Sequence, residues 1–212
     1  GDIEQFVNQV KSSAVPLVSV DPLTEERDLD ALRNLIGEAP IVLLGESQHS
    51  MREQYQLKHR IIKFLVAEMD FTHIAIEDSF YGTIAIDEYI KGADINPGQA
   101  LRDTGGWYLW DTGEMLSFAK WLRSHNDGKA DEENVSYVGL DIQDPWPGIR
   151  ILTAYFEKYD QEFSGFLEAR RHVFDVFNKP IWFQITSGYS KLTGEQKQAV
   201  CDTLNKAADR LE

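Results

Sequence analysis

Four side chains able to move protons or hold charge fall into a pattern. Glu46 and His49 stand three residues apart in Gly45-Glu-Ser-Gln-His49, Glu77 closes His73-Ile-Ala-Ile-Glu77, and Asp141 closes Val135-Ser-Tyr-Val-Gly-Leu-Asp141. A neutral imidazole is a general base for water, and a carboxylate that accepts its other ring N–H fixes the tautomer. Carboxylates at neighbouring strand ends share protons, orient water or bind a cation. Glu46, His49, Glu77 and Asp141 together also suit a divalent cation and metal-assisted hydrolysis. Each residue has an ordinary reading too. His49 can bond within a loop, Glu46 and Glu77 can cap a helix or pair with Arg52 or Lys58, and Asp141 can close an Asp-Ile-Gln-Asp turn.

The elements that must position these groups are legible as patterns. Three apolar runs, Ile41–Glu46, His73–Glu77 and Val135–Asp141, read as buried parallel strands, each ending on an acid. Ligands of open α/β sheets bind outside the carboxyl ends of the strands, so the acids are expected on one rim. Residues 51 to 69 carry the strongest helical pattern, with Ser50-Met-Arg-Glu53 as a capping box at its start. The positive end of that helix's dipole favours the neutral ring a general base needs. Lys58 lies about 10 Å along the helix at 1.5 Å per residue. Its extended side chain either just reaches the acids or snorkels to water.

Further helices are expected over 2–13, 28–38, 80–91 (with Gly92 beyond its end) and 111–124. Residues 92–106 read as a long loop, and 144–147 as a rigid one. From 148 to 212 helices follow, broken near Ser164, Pro180 and Gly188, with Ile181–Ile185 ambiguous between strand and helix. The predicted fold is α/β: a central, mostly parallel sheet flanked by helices, with a helical C-terminal segment, in a single domain over 1–212 whose α/β part covers about 28–145. Three strands are few for this length. Trp107 and Trp110 in Gly105-Gly-Trp-Tyr-Leu-Trp110 either wall a pocket for an apolar ligand or belong to the core.

Bulk properties narrow the function. The chain of 212 residues has a net charge of −14 and is 42% hydrophobic, with a pI near 4.7. Nucleic acid and anionic membrane both demand basic surface, so a small-molecule substrate is the expected partner. No apolar run is long enough to span a bilayer, and no signal peptide is visible. Cys201 is the only cysteine, which forbids an internal disulfide and fits a cytoplasmic location. His-Glu-x-x-His, a glycine-rich phosphate loop and Gly-x-Ser-x-Gly are all missing, so no cofactor is expected and neither Ser47 nor Cys201 is favoured as a nucleophile.

Taken together, Gly45-Glu-Ser-Gln-His49, Glu53, Leu57-Lys-His-Arg-Ile-Ile-Lys-Phe-Leu-Val66, Ala75-Ile-Glu77, Trp107-Tyr-Leu-Trp-Asp-Thr with Glu114, Trp121-Leu-Arg, Asn126 and Val138-Gly-Leu-Asp-Ile-Gln143 resemble the erythromycin esterase family. The resemblance runs from about Val42 to Gln143 and continues faintly beyond. It implies a metal-independent hydrolase that opens a macrolide lactone, an antibiotic-resistance activity. His49 would activate water, Glu46 would support it, and Glu77 would line the site. Lys58 matches a basic position, and Trp107, Trp110 and Asp141 would contact substrate. Family members continue past the point matching Glu212 into a second histidine motif, so a shortened or partial chain is expected. A relative that binds a ligand without turning it over is the competing expectation.

Overall fold

A computed structural model of the chain describes residues 2–104, 109–142, 144–179 and 188–212. It contains two compact units, residues 1–72 and 73–212.

Among the described residues, the first unit holds three α-helices: α1 (Asp2–Ser13), α2 (Asp30–Ile36) and α3 (Arg52–Met69). In α1, Ile3, Phe6, Val7 and Val10 share a face, yet no residue of the helix is buried. The core lies between α2 and α3. Leu29, Phe64 and Leu65 are buried there, with Leu32, Ile36, Val42, Ile61, Met69 and Phe71 packed around them. Arg60 fastens the preceding loop to α3. Its buried guanidinium donates to the Ser19 carbonyl (2.9 Å) and Asp28 Oδ2 (2.9 Å), and also to Asp28 Oδ1 and the Glu25 carbonyl. The Arg60 bonds to Asp28, with one from the Val18 amide, hold the Asp28 carboxyl well below the ordinary carboxylate range.

Ile41–Glu46, expected to be the first strand, forms no ladder among the described residues. It alternates exposed and partly buried side chains as a strand does. Val42 packs on the core, while Ile41 and Leu43 remain exposed. Alternation alone does not make a strand, which also needs a neighbour to accept its hydrogen bonds.

The second unit is built on a two-stranded parallel sheet, β1 (His73–Ser79) beside β2 (Ser136–Asp141). The crossover carries α4 (Ile84–Ile90), α5 (Pro97–Arg102) and α6 (Gly113–Asn126). Ile86, Ile90, Leu101, Leu122 and Val135 are almost wholly buried. Asn126 closes the end of α6 by donating to the Ile90 and Val135 carbonyls and accepting from the Val135 amide. Then come α7 (Pro145–Tyr159), α8 (Gln161–Ala169) and α9 (Gly194–Leu211). They enclose two clusters, Ile149/Phe174/Val200 and Phe156/Leu167/Ala207.

Several boundaries differ from expectation, each for a local reason. The 92–106 stretch contains α5, started by Asn96 accepting from the Gln99 amide, with Pro97 in the first turn. Asp144-Pro145-Trp146-Pro147 opens α7 by the same device, Asp144 accepting from the Trp146 amide. The break expected near Ser164 falls at Asp160, which accepts from the Phe163 amide and starts α8. Pro180 and Ile181–Ile185 lie outside the described residues.

The sheet register is regular from His73↔Ser136 to Ile76↔Gly139, then shifts so that Ser79 pairs with Asp141. Two β1 residues, Glu77 and Asp78, thus oppose Leu140 alone, which is a β-bulge. The bulge depends on Gly139, where a Cβ would lie 2.5 Å from the Asp78 and Ser79 carbonyl oxygens. Gly139→Ala should therefore destabilise the second unit by about 1–3 kcal/mol. Gly165→Ala, inside α8 with open space around the new methyl, should stabilise it by about 0.4–1 kcal/mol. Urea denaturation of the two variants checks both signs.

Candidate active site

In the first unit, the loop before α3 brings Glu46, His49 and Lys58 into one chain of contacts. His49 Nδ1 lies 2.8 Å from Glu46 Oε1, and Lys58 Nζ donates to Glu46 Oε2 at 2.6 Å. Both carboxylate oxygens are therefore engaged, on opposite sides. The Glu46 side chain is 12% exposed and that of His49 57%. Burial works against the charge on Glu46, but the hydrogen bonds and charges of Lys58 and His49 outweigh it and hold the carboxyl below its ordinary value. An ionised carboxylate can only accept, so the neutral ring must keep its proton on Nδ1 to make this bond. Nε2 is then left with its lone pair and has no hydrogen-bond partner among the described residues.

The loop geometry comes from α3. Glu46 is 12 residues from Lys58, and the helix carries the ammonium back along its own axis to meet it. Lys58 reaches the acid rather than snorkelling. The expected capping box does not form. The N-cap is Met51, without a side-chain cap bond, and Ser50 has a left-handed φ of 63°. That conformation costs a non-glycine residue about 1–2 kcal/mol. Two further contacts went unforeseen: Gln54 Nε2 donates to Ser47 Oγ at 2.6 Å, and the Ser50 N–H donates to the Tyr55 hydroxyl at 3.4 Å. Glutamine and tyrosine in an amphipathic helix carry no sequence signal for such a role.

In the second unit, Glu77 is exposed on the bulge. Asp141 ends β2, its Oδ1 accepting from the Ile142 amide at 2.7 Å. Trp110 is buried with 5% of its surface exposed, and Trp107 lies outside the described residues. The acid next to Glu77 is the unusual one. Asp78 is fully buried, and its Oδ2 has no hydrogen-bond partner among the described residues. Burial raises its pKa to about 6, against the opposing bonds from the Ser79 amide and the Thr104 hydroxyl. Tyr137 on β2 is also buried, its hydroxyl has no hydrogen-bond partner among the described residues, and burial followed by the charge of Asp78 pushes its phenol up. A groove of about 390 Å³, lined by Glu162, Phe163, Phe166, Lys206, Asp209 and Arg210, contains none of the residues selected from the sequence. No group of three or more His, Cys, Asp or Glu is placed to hold a metal ion among the described residues, and no helix there is long and apolar enough to cross a membrane.

A small parallel sheet with a helical crossover and flanking helices is an α/β architecture, and solved structures share it. A Bacillus cereus protein superposes with a TM-score of 0.76 at 26% identity, covering 98% of this chain and 49% of the other. A succinoglycan biosynthesis protein gives 0.72 at 26% identity, with 99% and 51% coverage. A mutant of the erythromycin esterase EreC in its open conformation gives 0.63 at 17% identity, a likeness of fold. Erythromycin esterase type II of Escherichia coli is 26% identical over 217 residues, covering 98% of this chain and 49% of that protein. The putative hydrolase YbfO of Bacillus subtilis is 27% identical over 119 residues, 55% of this chain and 25% of that protein. The erythromycin esterase family model matches residues 66–212, more than half the chain, and the chain belongs to that family. It spans about half the length of the type II esterase and a quarter of YbfO. The family match begins at Val66, after Glu46, His49 and Lys58, whereas the alignment with the type II esterase is long enough to include them.

The buried Asp78 makes the second unit's stability depend on pH. Its folded-state value, about 6, stands above the ordinary 3.8. Between those values the folded chain holds a proton that the unfolded chain has released. Stability is therefore full below the ordinary carboxylate range, falls as pH rises toward 6, and levels off above it. The difference of about two units corresponds to roughly 3 kcal/mol. Asp78→Asn should remove this slope, as read from urea midpoints between mildly acidic and neutral pH. A slope that is the same in both proteins would assign it to other groups.

Proposed function

We propose that this chain is a carboxylic ester hydrolase of the erythromycin esterase type, acting on an ester or macrolide lactone by water attack with His49 as general base. The observation that carries the reading is the His49 Nδ1–Glu46 Oε1 contact of 2.8 Å on a half-exposed ring. It leaves Nε2 as the basic, accessible nitrogen. Nε2 takes a proton from water as the water oxygen bonds to the carbonyl carbon. The C–O bond to the alcohol then breaks, the imidazolium returns the proton to the departing alkoxide, and acid and alcohol are the products. Glu46 fixes the ring and favours the imidazolium as it forms. Lys58, donating to the second oxygen of Glu46, keeps that carboxylate ionised and aimed.

The roles proposed for Glu77 in catalysis and for Trp107, Trp110 and Asp141 in substrate binding rest on the family resemblance. Trp110 is buried, with 5% of its surface exposed. A macrolide is the proposed substrate class, since opening its ring would abolish the antibiotic's shape and confer resistance. A single domain over 1–212 working in the cytoplasm without a cofactor completes the reading.

His49→Ala should lower turnover of a macrolide or a nitrophenyl ester by roughly 10²–10⁴-fold, with little loss of binding. Product formation by mass spectrometry and macrolide titration, run together, decide the matter. Turnover unchanged by the substitution removes His49 as base. Binding with no turnover in the unaltered protein makes it a ligand-binding relative.

A further inference from the structure

The loop that carries His49 is held from one side by one stretch of helix. Three α3 residues each take hold of a different loop residue: Lys58 donates to Glu46, Gln54 donates to Ser47 at 2.6 Å, and Tyr55 accepts from the Ser50 amide at 3.4 Å. Positions 54, 55 and 58 fall within an arc of about 100° on an α-helix. Every residue from 46 to 50 therefore lies at, or between, points of attachment, and His49 sits in the last span. Tyr55 is buried, so its hydroxyl is a fixed point. Gln54 is partly buried and also touches the Met51 sulfur through Nε2 at 3.3 Å.

The left-handed Ser50 gives these contacts a purpose. A residue at φ 63° without glycine's freedom persists only where its surroundings over-determine it. The Ser50 N–H, which in the expected capping box would belong to a Glu53 carboxylate, goes instead to Tyr55. The left-handed residue stands between His49 and the start of α3.

We propose that Gln54 and Tyr55 are positioning residues that clamp the 46–50 loop through Ser47 and Ser50, and thereby hold His49 Nδ1 on Glu46. The clamp rests on the reading of His49 as the base only where activity is concerned; its effect on the ring stands apart from that reading. Neither residue touches the reacting atoms. Their loss acts through His49.

The test is the ring itself. Long-range ¹⁵N–¹H correlation spectra of the full chain, in mildly alkaline buffer, report which nitrogen of His49 carries the proton. In the unaltered protein Nδ1–H should dominate. In Gln54→Ala/Tyr55→Phe it should give way severalfold to Nε2–H, and ester turnover should fall roughly 10- to 100-fold in kcat with KM little changed. Ser47→Ala combined with Gln54→Ala should do no more than either alone, because both break one bond. If the double variant does not fold, Tyr55→Phe alone, which keeps the buried ring, carries the spectroscopic test. An unchanged Nδ1–H population in a folded variant overturns the clamp, whatever turnover does. A shifted population with unchanged turnover supports the clamp and refutes His49 as the base.

Discussion

Glu46 is an acceptor with two oxygens, and two different donors claim them. Much of the first unit's local geometry follows from that division. One oxygen at 2.8 Å from His49 Nδ1 sets the ring, and the other at 2.6 Å from Lys58 Nζ ties the loop to α3. Burial alone would raise the affinity of this enclosed carboxylate for a proton. A protonated carboxyl would present a hydroxyl on one side and a weaker acceptor on the other. The lysine prevents this, and it does so from a rigid helix rather than a flexible loop. Its position four residues beyond Gln54 is therefore as much a structural requirement as its charge.

What was legible in the sequence was whatever depends on short-range geometry. Glu46 and His49 could be paired on paper because three residues of loop leave little freedom. The reach of Lys58 could be bounded because helix rise is fixed. The β1 and β2 runs and the long pattern of α3 emerged nearly where periodicity put them. Ile41–Glu46 shows where this ends. Its composition matches β1, and its side chains alternate as a strand's do, yet Leu43 is 89% exposed and no ladder forms among the described residues. Pairing is a long-range property that a local run cannot display. The capping box failed for a similar reason. Ser50 and Glu53 have the right types and spacing, but a hydroxyl on the next turn, Tyr55, claimed the Ser50 amide. The starts of α5 and α7, by contrast, were marked by Asn96-Pro97 and Asp144-Pro145, and those signals were outweighed by the loop-like composition around them.

The end of β1 was legible only in part because the period of two breaks there. Simple alternation puts Glu77 and Asp78 on opposite faces and leaves Ser79 with Glu77. The bulge buries Asp78 and Ser79 in succession and leaves Glu77 exposed. Its cause lies on the other strand, at Gly139, some 60 residues later in the chain, where a side chain would strike two β1 carbonyls. Nothing near Glu77 announces that constraint.

The two enclosed acids, Glu46 and Asp78, meet different kinds of donor. Glu46 accepts from an imidazole and an ammonium, whereas Asp78 accepts from the Ser79 backbone amide. Their affinities for a proton move in opposite directions. The difference is the formal charge of the donor set. An ammonium returns Coulombic energy to a desolvated carboxylate at every distance, whereas neutral dipoles return it only along the bond. In Asp78 the neutral donors fall short of the cost of burial, and one oxygen has no donor among the described residues. In Glu46 the lysine, together with the imidazole, turns the balance. A group meant to hold a catalytic ring through cycles of protonation needs the second environment, because its own charge must not follow that of the ring.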